Sequence, residues 1–318
     1  METLIITQSQ LNNVGNKSFI EANTVPLLFS EIEKNHIIPV FTKDNEPLIS
    51  QRDFIHIAEE VASNVFRDEV IVPANIRVSH PVKGRIPDAR TKPANQLEEW
   101  EKTVYYERMM FLVEIPSIRE TVDGNVLNLT IGGVKSYGQD NLSGRKGSDE
   151  HFKIFVGFKN QVCTNLCVWT DGLQSNVKVK SSMQLMMEFQ KLLTDFKLEQ
   201  QLSLLRRFPD YSITEHQFAT LIGRCKLYQY LPSSLKKEIP LLTFGDAQIS
   251  TVARDYYEDE SFSRQGDGSI NLWKVYNLFT GANKSSYIDG FLPRSVNAST
   301  FVRNLADNLE TGTSWFLH

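Results

Sequence analysis

Cys163 and Cys167 stand four apart in a stretch whose alternation reads as a strand, so both thiols face one way, as two metal ligands would. A structural zinc site needs a second ligand pair, and neither the solitary Cys225 nor any histidine pair supplies one. The thiols therefore read as small buried side chains in a reducing compartment, and no metal is expected. Thr280 to Ser286, TGANKSS, ends in the Lys-Ser pair of a phosphate-binding loop. Such a loop follows a strand and places glycines immediately before the lysine and five residues earlier. Here Asn283 and Leu278 occupy those positions, after a helical pattern. Gly281 reads instead as a helix C-cap, with Asn283 and Ser285 bonding the freed backbone. His36, His56, His80, His151, His216 and His318 lie in separate segments, with no HExxH and no nucleophile elbow. The acids Asp255, Glu258, Asp259 and Glu260, followed by Asp267-Gly268, lack the oxygen alternation of an EF-hand and read as a solvated loop. No catalytic residue and no cofactor is expected, leaving for an enzyme only a site assembled in space from distant residues.

The most suggestive chemistry is basic. Between Val70 and Asn95 four prolines accompany five cations, Arg77, Lys83, Arg85, Arg90 and Lys92, against one acid, Asp88, an excess of four positive charges. Arg145 and Lys146 form a second cluster in a glycine-flanked loop. Cations on an irregular segment beside a sheet can grip phosphates, and Tyr137 and Phe152 are near enough in sequence to supply a stacking surface for single-stranded or distorted DNA. The next segment, Gln96 to Glu120, reverses sign, with six acids against three bases. If the cations pair with Glu98 to Glu107, a protein-interaction module is the better reading.

The elements that must position these groups follow from periodicity. The first 25 residues, rich in Asn, Gln, Ser and Thr, show no period and read as a flexible polar arm. Ile37 to Val40 reads as a strand that Pro39 confines to an edge. Ser50 and Asp53 cap a helix whose stripe is Phe54, Ile57, Ala58, Val61 and Val65. Alternation over 109–115 and 126–134, joined at Asp123-Gly124, predicts a hairpin, because a tight turn needs positive φ. A second pair, Phe152 to Phe158 and Val162 to Val168, ends at Asp171-Gly172, and Val177 to Lys180 reads as an edge strand. After Lys180 the period becomes helical. A long helix from the Ser181/Gln184 cap to Phe208 is followed by a helix around Phe218, opened by the same capping pattern at Thr214/Gln217, and by helices around Ile249 and Leu272. A last helix ends near Gly312, and Trp315 to Leu317 dock on the core.

The expected fold class is α+β: an antiparallel sheet meander with flanking helices over 26–180, after the arm at 1–25, and a mostly helical portion over 181–318 packed on it. With 318 residues, 34 Lys+Arg and 38 Asp+Glu, the chain carries a net −4, which removes the global basic excess of a histone-like binder. No early segment joins a positive start to a long apolar run, so no membrane span and a cytoplasmic location are expected.

The segments IRVSHPVKGRIPDAR, EHFKIFVGFKNQVCTNLCVWTDG and LFTGANKSSYIDGF carry a resemblance to a known family. With them the chain resembles the bacterial domain-of-unknown-function family 3871 and, more distantly, phage- and plasmid-like proteins of mobile elements. The resemblance brings no catalytic residues. It implies a role in mobile-element DNA maintenance, replication or recombination, which with the local basic excess makes a non-enzymatic DNA-binding accessory factor the leading expectation. The alternative, favoured by the net −4 and the acidic Asp255 to Glu260 run, is a protein-interaction module acting on a host or element-encoded enzyme, as an anti-restriction or assembly factor would.

Overall fold

A computed structural model describes residues 18–35, 38–39, 49–141, 149–312 and 314–318. The chain runs through β1 (Val25–Leu27), α1 (Phe29–Asn35), β2 (Ile38–Pro39), α2 (Gln51–Val65), β3 (Asn75–Val78), β4 (Pro81–Arg85) and β5 (Lys102–Tyr106). The long strands β6 (Arg108–Val122) and β7 (Asn125–Ser136) lead through α3 (Tyr137–Asn141) to β8 (Glu150–Asn160) and β9 (Leu166–Val179). The period switch after Lys180 gives α4 (Ser182–Asp195), α5 (Leu198–Arg207), β10 (Ser212–Ile213), α6 (Glu215–Tyr228) and α7 (Ser233–Lys236). It continues through α8 (Asp246–Glu258), β11 (Ile270–Asn271), α9 (Leu272–Asn283) and α10 (Ile288–Thr311). The architecture is α+β, as the patterning predicts.

The main sheet has the order β1-β3-β6-β7-β8-β9, every neighbour antiparallel. Its central hairpin turns at Asp123 (φ 48°) and Gly124 (φ 75°), the left-handed pair that a strand-matching turn requires. Alternation sends Phe111, Val113, Ile131, Ile154 and Val156 to one face, where they pack with α2 and α4. Phe54 of α2 is the keystone, its ring 5.0 Å from Phe111, 4.8 Å from Phe152 and 5.9 Å from Phe189. A Cβ at Gly133 would fall 2.3 Å from that ring, so the strand needs glycine beneath it. The opposite face presents Met110, Leu112, Val134, Phe155 and Val168 to Ile288, Phe291 and Leu292 of α10. Helices thus cover both faces.

Several local expectations hold. Ser50/Asp53 and Thr214/Gln217 form reciprocal capping boxes, and Ser181 caps α4. Gly312 ends α10 in the left-handed conformation, and Phe316 and Leu317 are buried against the core. Others need correction. Of the arm at 1–25, residues 1–17 lie outside the described residues, but from Ser18 the chain is held. Phe19 and Ile20 are buried, Glu21 and Ala22 donate backbone N–H groups to the Lys284 carbonyl, and β1 is an edge strand. Two apolar side chains and a free helix-end carbonyl suffice, without any period. Val65 is exposed, and Ile55 and Ala62 share the buried face instead. Asp171-Gly172 lies inside β9, because a register shift opposite Phe155 to Gly157 absorbs the turn signal. The helix after Ser181 breaks at Phe196-Lys197, and Gly281 lies within α9, which is capped at Lys284.

Cys163 sits in the turn before β9 rather than on the strand, its Sγ 3.7 Å from Asn277 Oδ1. Burial pushes the Cys167 thiol up to about 12, so it stays protonated and apolar in character. Lys284 of the TGANKSS segment is buried, and its ammonium reaches the Cys163 carbonyl and, at 3.0 Å, the Thr164 hydroxyl. Among the described residues no helix is long and apolar enough to cross a membrane.

Candidate interaction surface

The basic segment builds a second, smaller sheet of order β2-β4-β5, with Lys83 opposite Val104 and Arg85 opposite Lys102. Its inner side is fixed by aromatic packing: Tyr105 meets Tyr137 edge-on at 5.1 Å with Val82 against the pair. From below, Gln51 Nε2 donates to the Tyr106 carbonyl at 2.7 Å. Beneath Tyr137 lies a buried ion cluster. Lys135 Nζ is 2.8 Å from both Asp140 Oδ2 and Glu150 Oε2, and sits over the Phe152 ring at 3.9 Å. Glu150 Oε1 accepts the Ile49 N–H at 2.8 Å, and Asp140 Oδ1 accepts the His151 N–H at 2.8 Å. Burial pushes the Glu150 carboxyl above its ordinary range even beside Lys135. The cluster is a closed foundation, and Tyr137 and Phe152, both buried within it, form no stacking surface for bases; the two aromatics expected there enclose an ammonium instead.

Above this foundation the cations separate into different roles. Arg77 on β3 is partly buried and reaches Thr24, donating from Nη2 to its carbonyl at 2.8 Å and to its hydroxyl at 2.9 Å. Burial lowers its guanidinium pKa against the pull of Glu21. Arg85 is 1% exposed although its register position is on the outer face, because residues 87–96 fold back across it. Its Nη1 donates to the carbonyls of Ala89 at 3.3 Å, Arg90 at 3.4 Å and Lys92. A planar fork suits converging carbonyls, so this arginine fastens the proline-rich loop. Lys92 pairs with Glu101 at 2.8 Å, and Lys102 with Glu99 at 2.6 Å. The Lys92 ammonium and the Glu98 N–H hold the Glu101 carboxyl below its ordinary value.

Lys83 and Arg90 remain exposed with no side-chain partner among the described residues. Arg145 and Lys146 lie outside the described residues. The positive excess of this segment is therefore largely engaged within the chain, since Arg77, Arg85 and Lys92 are committed to carbonyls, a hydroxyl or Glu101.

Sequence reasoning missed the apolar side of this surface. Trp100 is 71% exposed at the end of the wrapping loop, and Val104, opposite Lys83 on β5, is 46% exposed. Among the described residues β5 has a strand partner on one edge only. The signal was present, as an exposed tryptophan flanked by Glu99 and Glu101, but a single aromatic in an acidic stretch has no period to mark it.

A family model described as "Domain of unknown function, B. Theta Gene description (DUF3871)" matches residues 1–317. No curated protein and no solved structure matches the chain.

Proposed function

This chain belongs to the DUF3871 family, and from that premise we propose that it is a non-enzymatic interaction module that captures an extended, carboxylate-bearing peptide segment along β5. The observation that carries the reading is the single-sided strand β5 beside the exposed Trp100 and Val104. From Lys102 to Val104 the unpaired edge offers main-chain donors and acceptors to an added strand, the Tyr106 carbonyl being taken by Gln51, while exposed aromatic and β-branched side chains supply the apolar contact. Lys83, opposite Val104 and without a side-chain partner, gives the occupant's carboxylate a counter-charge. Asp88, Glu98 and Glu99, all exposed around the same loop, disfavour a polyanion over a single acidic strand. The setting we propose, following the resemblance to phage- and plasmid-like proteins, is an accessory role in mobile-element DNA maintenance exerted on a protein partner rather than on DNA itself.

The test pans a random peptide display library on the intact chain, with Trp100→Ala and Val104→Glu as counter-selections, beside anisotropy of a labelled twenty-residue oligothymidine at low and high salt. Peptides that bind the wild type and lose both variants support the module. Salt-sensitive oligothymidine binding that is lost in Lys83→Ala/Arg90→Ala moves the function to single-stranded DNA. Absence of both sinks the surface altogether.

A further inference from the structure

A cleft of about 270 Å³ opens between β9, one face of α5 and the middle of α10. Its apolar lining is half-buried Leu204 with the little of Trp169 and Phe208, 5% and 2% exposed, that reaches the surface. Its walls are polar, and their hydrogen-bonding capacity is divided in an informative way. The Asp171 carboxylate is fixed by Gln201 Nε2 at 2.8 Å and by the Lys197 backbone N–H at 3.3 Å, which orients it while leaving lone pairs toward the opening. Lys197, Arg303 and the Thr300 hydroxyl line the same space, and none of these three side chains has a partner among the described residues.

Each part narrows the ligand. A single fixed carboxylate beside a free hydroxyl accepts from and donates to neutral O–H groups, and does not make a metal site. Two unpartnered cations on separate elements, Lys197 before α5 and Arg303 on α10, call for an anionic substituent. A half-buried leucine between polar walls suits a small ring with one apolar face and a hydroxylated rim. The volume lies at the lower edge of the ~300–1,000 Å³ usual for small-molecule sites, so one ring fits and a dinucleotide does not. We infer that this cleft binds a monosaccharide carrying an acid group, with its ring against Leu204, its hydroxyls at Asp171 and Thr300, and its anion between Lys197 and Arg303. The site is independent of β5.

The test titrates the full chain with glucose 6-phosphate, glucuronate, glucose and inorganic phosphate by calorimetry, with Arg303→Ala and Asp171→Asn as variants and thermal melts as folding controls. The two acids distinguish a phosphate from a carboxylate as the anion. At least one is expected to saturate below millimolar concentration, with glucose and phosphate each about tenfold weaker. Arg303→Ala, at an exposed position, should lower that affinity about tenfold with its melt unchanged. No saturation by either acid, phosphate binding as tightly as glucose 6-phosphate, or undiminished affinity in folded Arg303→Ala would each overturn the assignment.

Discussion

Lys153 donates from its ammonium to the main-chain carbonyl of Asp289 at 2.5 Å, and that carbonyl is available because Pro293, four residues further along α10, has no N–H to offer it. A proline inside a helix thus becomes an attachment point for the sheet. Arg108 strengthens the contact by pairing with the Asp289 carboxylate. Lys153→Met should cost about 1.5–3 kcal/mol in urea denaturation, the range for a hydrogen bond from a charged donor. In a Pro293→Ala background the restored backbone donor competes for the same carbonyl, so the Lys153→Met penalty should shrink. A penalty of equal size in both backgrounds would show that proline and lysine act independently.

The cluster under the small sheet makes a sharper prediction. Lys135 separates two buried carboxylates, Asp140 and Glu150, so Lys135→Met leaves both without their counter-charge. Removing one partner of a buried ionic group costs about 3–5 kcal/mol, and Glu150→Gln, which leaves one ammonium and one carboxylate, should cost clearly less. The sign with pH follows from the raised Glu150 pKa. The native state holds that proton at a pH where the unfolded chain has released it, so stability contributed by this group falls as pH rises above 4.5 through the folded value. Lys135→Met should therefore regain stability between pH 7 and pH 5. A flat or opposite profile in denaturant titrations would contradict this account.

Arg85 gives a prediction readable by protease. Its guanidinium fastens residues 87–96 through three carbonyls, so Arg85→Ala should release that loop. Trypsin should then cut after Arg90 at least about tenfold faster, because cleavage follows the population of the open loop, whereas the bond after Lys92 resists in any state because Pro93 follows it. Arg85→Lys, a point charge without the planar fork, should restore only part of the protection. The Lys92–Glu101 pair adds a pH signature. Glu101 has its folded pKa lowered, so its contribution is present above pH 4.5 and is lost as pH falls through the folded value. Loop protection in the wild type should hold from pH 7 to pH 5 and fail only in more acid solution.

The central hairpin, the caps and the helical half were legible because each is written locally: alternation for β6 to β8, Asp123-Gly124 for the turn, Ser50/Asp53 and Thr214/Gln217 for helix starts. What sequence could not convey was the use of a charge. Arg77, Arg85 and Lys92 look alike in a run of cations, yet one meets a hydroxyl and carbonyl 53 residues away, one fastens a loop, and one pairs with an acid. The last two depend on residues 87–96 folding back over β4, an irregular loop with no periodic signature, and the first on pairing of β1 with β3. Breaks were misread for a related reason. At Asp171-Gly172 the strand passes the turn signal as an unpaired irregularity and resumes pairing with β8 at Leu173, whereas at Phe196 the helix ends in an extended residue whose ring packs on Trp169.

Two exposed glycines should respond in opposite directions to the same methyl group. Gly124 and Gly223 both have open space where a Cβ would stand, so no steric contact separates them. Backbone conformation does. Gly124 is the second turn residue, with φ +75°, where an L side chain clashes with its own backbone, and Gly223 lies within α6 without positive φ. Gly124→Ala should destabilise by about 1 kcal/mol, since strain in the native state outweighs the lower entropy of the unfolded chain. Gly223→Ala should stabilise by about 0.5–1 kcal/mol, because alanine restricts the unfolded chain and fits the helix. Paired thermal and urea denaturation of the two variants measures both. If Gly124→Ala were neutral, the tight left-handed turn at the tip of β6 and β7 would not be the conformation that the folded chain keeps.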